Sequence, residues 1–375
     1  MYKKTIQRIL TIKYKMLNYV CKQFDFMKRS LVAIIILISV SVQAQKQNYK
    51  IAVVAFYNLE NLYDTLDDPK IDDEEFLPTG ARNYNANIYL NKLGKLASVI
   101  QRLGTDDEKI PCPDGAALLG VAEVENINVL QDLVNHPLIK SRNYQIVHYD
   151  SKDRRGVDVG FLYNPKYFEV IDSRALYVQL PRGAKDAYYT RDVLWVKGKL
   201  DGEIINVYVN HWPSRLGGEE RSAPGRAAAA AVCKKHIDSL MLAEGESKYI
   251  VMGDLNDDPI SPSLTKVLGT KSSIADTKPG NLFNPWVEMY KNGYGTLAYQ
   301  DAWGLFDQII VSYKWLDKKQ DGFFFKKQFI FNREFLTENI GRYKGYGMRT
   351  WDGLTYRGGY SDHFPTYVVL LKKAD

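Results

Sequence analysis

YIVMGDLN, residues 249–256, decides how this chain is read. Tyr249–Met252 is an apolar run of strand length, and it stops at a glycine, an acid and, two positions on, an amide. Gly253 permits close approach of another backbone. Asp254 then stands at a strand exit, where a carboxylate can orient or deprotonate a water, and Asn256 can point its amide at an oxyanion. Asp257 and Asp258 precede Pro259 and read as the next turn. Alone, these letters would also fit a plain Asx-turn. They gain meaning because the pattern recurs along the chain, in FYNLEN (56–61), VAEVEN (121–126), VNHWPSR (209–215), FDQII (306–310) and YSDHFP (360–365). Each hangs Asn, Glu, His or Asp on one end of an apolar run, and these are the side chains that bind a hard cation or move a proton.

Working outward, strand patterns cover 50–57, 116–124, 144–149, 158–163, 168–179, 192–199, 204–210, 306–312 and 365–371. Residues 87–103 carry apolar side chains at helical spacing, 129–134 reads as a short helix, and 227–242 as an Ala-rich one. Asp201-Gly202 marks a hairpin turn. The aromatic stretch 321–331 reads as a strand pair, and 321–357 as a region facing the substrate. No Pro- or Ser-rich linker, repeat or low-complexity tract divides residues 45–375, so they are expected to form one domain of mixed α/β layers.

The six motifs, in this order, resemble the endonuclease/exonuclease/phosphatase superfamily, which includes deoxyribonuclease I, exonuclease III and sphingomyelinases. The resemblance spans about residues 50–371. It implies an α/β (α+β) fold, specifically a four-layer α/β/β/α sandwich with the site at one edge of the sheets. It also implies metal-dependent cleavage of a phosphate ester, with Mg²⁺ expected and Mn²⁺ or Ca²⁺ as substitutes. By the same resemblance Asn58, Glu123 and Asp362 are metal-side residues, Asn58 helping to hold the metal or the glutamate. His211, Asp254, Asn256, Asp307 and His363 are catalytic, with Asp307 pairing His363. The family's Gln before the metal glutamate is Ala122 here, and Glu125 is a rival that strict alternation would put on the same strand face. His211, in NHWP, matches deoxyribonuclease I-like members rather than exonuclease III-like ones. Two histidines can then divide the proton work, in an order the sequence leaves open.

Nucleic acid, DNA before RNA, is the first substrate expected, cut endonucleolytically by a monomeric enzyme. Where deoxyribonuclease I uses an Arg on DNA this chain has Glu125, and an acid facing a polyanion costs affinity. Arg191 and Arg215 are the expected substitutes, with Trp212 as a stacking surface or a packed side chain and Asp158 as a buttress for a catalytic His. A phosphatase or phospholipase-type phosphodiesterase acting on a small molecule or lipid headgroup would use the same site.

The net charge of +6 does not bear on that choice. Residues 1–44 hold eight Lys/Arg against one acid, Asp25, and the rest of the chain is close to neutral. A cationic pair, Lys28 and Arg29, an apolar stretch from Leu31 to Val40 and the small residues Val42 and Ala44 read as a signal peptide beginning at Met27. Export to the periplasm or the medium is therefore expected, with no membrane span left after cleavage. Cys112 and Cys233 could form a disulfide in that setting or stay as small buried side chains.

Overall fold

A computed structural model describes residues 2–41, 48–106, 112–181 and 189–374. Residues 2–41 form one helix, α1 (Tyr2–Ser41). The cleavage site expected at 42–44 lies outside the described residues. No helix among the described residues is long and apolar enough to cross a membrane.

The rest is built on β-branched and aromatic runs that pair in two large sheets. In chain order the elements are β1 (Tyr49–Leu62), α2 (Ala86–Ile100), β2 (Leu118–Val124), α3 (Ile127–Asn135), β3 (Gln145–His148), β4 (Asp158–Tyr163), β5 (Phe168–Leu176), β6 (Val193–Leu200) and β7 (Glu203–His211). There follow α4 (Glu219–Glu244), β8 (Lys248–Asp254), β9 (Thr270–Lys271), β10 (Leu282–Phe283), α5 (Val287–Lys291), β11 (Leu297–Tyr299) and β12 (Ala302–Gly304). The last are β13 (Asp307–Ser312), β14 (Phe324–Ile330), β15 (Trp351–Asp352), β16 (Thr355–Tyr356) and β17 (Thr366–Lys373). One sheet runs β14-β17-β1-β2-β4-β3, the other β5-β6-β7-β8-β13-β10-β9. Stretch 321–331 yields the single edge strand β14, paired with β17, and not a strand pair.

Period-two alternation sorts the second sheet's side chains between two layers. Val207, Val209, Ile250, Met252, Ile309 and Val311 enter the core shared with the first sheet. Tyr208, Tyr249, Val251 and Ile310 turn the other way and pack with Ala229, Ala230, Cys233 and Ile237 of α4. On the far side Leu93 and Leu96 of α2 and Leu130 and Leu133 of α3 join the first sheet's core. The result is the expected helix–sheet–sheet–helix sandwich. The sheets approach closely at Gly120, where an added Cβ would lie 2.5 Å from Met252 Sδ. Cys233 and Cys112 are both free and buried, which settles the open question about a disulfide.

Helix α4 begins eight residues before the expected start at 227, because Arg226 anchors its first turns. Its guanidinium, fully buried, meets Ser222 Oγ, Glu219 O and Asp257 Oδ1. That contact also fixes the turn after β8, consistent with the expected structural role of Asp257.

Candidate active site

Strand register assembles the centre. Asp254 ends β8, with His211 of β7 as its parallel partner and Asp307 of β13 as its antiparallel one. Cross-strand partners share a face, so all three side chains meet at one level. His363, from the turn before β17, closes the group. Its Nδ1 lies 2.7 Å from Asp307 Oδ2 and its Nε2 3.8 Å from Asp254 Oδ2. The first sheet contributes Asn58 and Glu123 from the exits of β1 and β2, which pair in parallel.

Alternation fails at Glu123. Pairing of β2 shifts register between Ala122 and Val124, and Glu123 sits at φ 61°. The bulge aims its Oε1 to within 3.8 Å of His211 Nε2. Glu125 does not share this face. Its carboxylate accepts from Asp64 N at 2.6 Å, and burial pushes it up to about 8. Glu60, Asn61 and Asn256 also have positive φ, a conformation that costs on the order of 1–3 kcal/mol for a residue such as Glu. Site side chains hold these turns. Asn58 Oδ1 accepts from Glu60 N, Glu123 Oε2 from Asn61 N, and Asp254 Oδ1 from Asn256 N, at 2.9, 2.9 and 3.0 Å.

Of the two roles expected for Asn58, holding the metal or holding the glutamate, its contacts match the second. Its oxygen serves Glu60 N, while its Nδ2 donates to Glu123 Oε1 at 3.1 Å and Asp254 Oδ2 at 3.0 Å. It clamps the two carboxylates. Asn256 gives one amide N–H to Trp212 O. Asp362 lies beside His363 Nε2 at 4.0 Å and Arg349 Nη2 at 3.4 Å.

The expected substrate cations are engaged internally. Arg191, 7% exposed, donates to His211 O, Trp212 O and Asp153 Oδ2. It braces the His211 loop. Arg215 donates to Asn256 O, Glu219, Asp257 and Asp258. Trp212, 1% exposed, gives its indole N–H to Asn210 Oδ1 and is core, not a stacking platform. Asp158 faces His148 at 3.4 Å and buttresses neither catalytic-site histidine.

The two imidazoles are driven apart. Burial lowers His211 well below the usual histidine range, and Arg191, Arg155 and His363 add to this. Burial also opposes charge on His363, but Asp307, Asp254 and Asp362 overcome it and hold it well above that range. Burial pushes Asp254 up to about 7, against the pull of His363 and with the push of Asp307 and Glu123.

A cleft of about 260 Å³ opens over this centre, lined among others by Glu123, Asp362, Arg82, Arg155, Arg349 and Trp351. Glu123 and Asp362 join it to the buried histidines. Arg82, Arg349 and Trp351 went unnoticed in the sequence; for Arg349 and Trp351 the aromatic, glycine-rich composition of 321–357 was the signal, and Arg82 had none. Buried Glu60 fixes this segment by accepting from Thr350 N and Trp351 N, while Lys92 Nζ donates to Thr350 Oγ1.

Glu123, Asp254 and His211 each offer an atom within 4.8 Å of the others. Two carboxylates, with Glu123 opening onto a cleft, suit a divalent cation that keeps places for water and substrate oxygens, and leave the imidazole for proton work.

A profile of the Endonuclease/Exonuclease/phosphatase family matches residues 53–372. No curated protein sequence matches the chain. Similar solved structures include an endonuclease/exonuclease/phosphatase family protein from Bacteroides thetaiotaomicron, 16% identical, covering 88% of this chain and 100% of that one at TM-score 0.53. The mannosyl-6-phosphatase of the same species is 16% identical, with coverages of 85% and 99% and TM-score 0.51. Caenorhabditis elegans TDP2 is 14% identical, with coverages of 85% and 97% and TM-score 0.50.

Proposed function

The chain belongs to the endonuclease/exonuclease/phosphatase family, and from that premise we propose that it is a divalent-metal-dependent phosphoester hydrolase. One observation carries the reading: Asp254 is flanked in register by His211 and Asp307, with His363 bridging Asp307 and Asp254. A bound cation at Glu123 and Asp254 would supply charge neutralisation for the phosphoryl oxygens. The chain's own groups do the rest. Asp254 orients the attacking water. His211, kept neutral, accepts its proton. His363, kept charged, donates a proton to the departing oxygen.

Asp307 sets this division. Charge on His363 is needed for donation, so activity is present below its pKa and lost as pH rises through it. Asp307→Asn removes the carboxylate 2.7 Å from Nδ1. The alkaline limb of kcat/KM is then expected to move to lower pH. A limb that stays in place would refute the proton-donor assignment.

The geometry favours a compact phosphoester over nucleic acid. The arginines expected to grip a polyanion are engaged within the protein, and the partly exposed Arg155 and Arg349 line a small cleft. The test is hydrolysis of supercoiled plasmid, single-stranded RNA, sphingomyelin vesicles and a soluble phosphomonoester, each with Mg²⁺ or Mn²⁺ and with EDTA. Metal-dependent turnover of the soluble monoester, with plasmid inert, is expected. Plasmid nicking abolished by His211→Ala would restore the endonuclease reading, and no turnover of any substrate would end the hydrolase reading.

A further inference from the structure

Two arginines of the site region stand apart from the rest. Arg155 Nε approaches Asp153 Oδ1 at 3.7 Å, and Arg349 Nη2 donates a long hydrogen bond to Asp362 Oδ2 at 3.4 Å. Both exceed the ~2.7–2.9 Å of a formed charge-assisted bond. Their side chains are 48% and 34% exposed, and both line the cleft. A guanidinium carries five N–H groups in a fixed fork, so both keep donors available for a ligand. They reach the centre from different sides. Arg155 acts electrostatically on His211, and Arg349 adjoins Asp362, next to His363.

One wall of the cleft is fixed. Arg82 is held by the rings of Phe76 and Trp351, each 5.0 Å from its guanidinium carbon, by Glu75, and by a bond to Gly353 O. A phosphate bound in the cleft at Glu123 therefore shares it with two forks of available donors and a wall that is held in place.

Phosphate esters differ in the features this arrangement reads. A monoester is a dianion with three terminal oxygens, whereas a diester has one charge, two such oxygens and a second organic arm. Arginine forks reward the extra charge and oxygen, and a second organic arm would have to share a cleft of about 260 Å³. We propose that Arg155 and Arg349 select phosphomonoester dianions over phosphodiesters. This rests on the phosphoester-hydrolase reading above. In the reaction the water oxygen bonds to phosphorus as the P–OR bond breaks. The water's proton passes to His211, the alkoxide takes a proton from His363, and alcohol and inorganic phosphate leave.

The test uses p-nitrophenyl phosphate and bis(p-nitrophenyl) phosphate, which share a leaving group, on the parent protein, Arg155→Gln and Arg349→Gln. Calorimetric titration with inorganic phosphate and dimethyl phosphate in EDTA reads binding apart from turnover. Each substitution is expected to lower kcat/KM for the monoester by roughly tenfold or more. The diester should change by less than about threefold, the scale of losing no specific bond. Phosphate affinity should fall along with monoester turnover, while dimethyl phosphate stays weak throughout. Equal losses on both esters, or none on either, would overturn the selection and leave the hydrolase standing. Absent turnover of both esters, with phosphate binding still dependent on the arginines, would instead overturn the hydrolase reading and support the dianion site. Unchanged melting temperatures exclude misfolding as the cause.

Discussion

Asp254→Asn is expected to lower phosphoester hydrolysis by about a thousandfold or more, without lowering the melting temperature. Asp254 Oδ2 is the shared point of the centre. It lies 3.0 Å from Asn58 Nδ2 and 3.8 Å from both His211 Nε2 and His363 Nε2. Removing its charge leaves His363 with one fewer anion to hold its proton and removes the group that orients the water. Stability should move the other way. Burial raises this carboxyl to about 7 in the folded chain, from an unfolded value of 3.8. A carboxylate with a raised folded pKa costs stability above that pKa, and the cost is relieved as pH falls through it. A neutral amide removes the cost at pH 8. Melting curves in EDTA at pH 8 should show the variant at least as stable as the parent, the trade-off expected where a site is built against the stability of its scaffold. Retention of more than a tenth of the activity would displace Asp254 from the mechanism.

Gly253→Ala should damage the fold itself. Gly253 has φ 154°, and an added Cβ would stand 2.2 Å from Asn210 O and 2.7 Å from Asn210 Cβ. Asn210 is its register partner on β7. It cannot shift freely, because its side chain binds Tyr208 O, Met252 O, Trp212 Nε1 and Cys233 Sγ. Relief requires β7 and β8 to separate where they set His211 beside Asp254. Overpacking and strained φ together predict a loss of about 3 kcal/mol or more. Urea denaturation should show a lower midpoint or no folded baseline. An unchanged midpoint would mean that the strands are not so tightly joined.

Much of this was legible because strand periodicity is local. The apolar run Tyr249–Met252 can be read from neighbouring letters, and so can the exit at Gly253-Asp254, whereas the two layers its side chains enter come only from the fold. Glu123 was found, but the reason it outranks Glu125 was not, since a bulge reverses the face that strict alternation assigns. Arg191 and Arg215 were misjudged for a related reason. A motif places a cation near a site but says nothing of carbonyls and carboxylates that fold back onto it, such as His211 O or Asp258. The cleft wall was invisible because Glu60 and Thr350 are 290 residues apart, and only tertiary structure joins them.

That join has a kinetic meaning. β1 lies between β2 and β17, and Glu60 waits for Thr350 and Trp351. The first strand made cannot complete its sheet until nearly the last one has left the ribosome. Such long loop closures fold slowly. A chain still in synthesis has the ends of β1, β2, β7 and β8 but lacks His363, the pinned 350 segment and the final strand. The candidate site is thus complete only once His363 and the pinned 350 segment have joined the earlier strands.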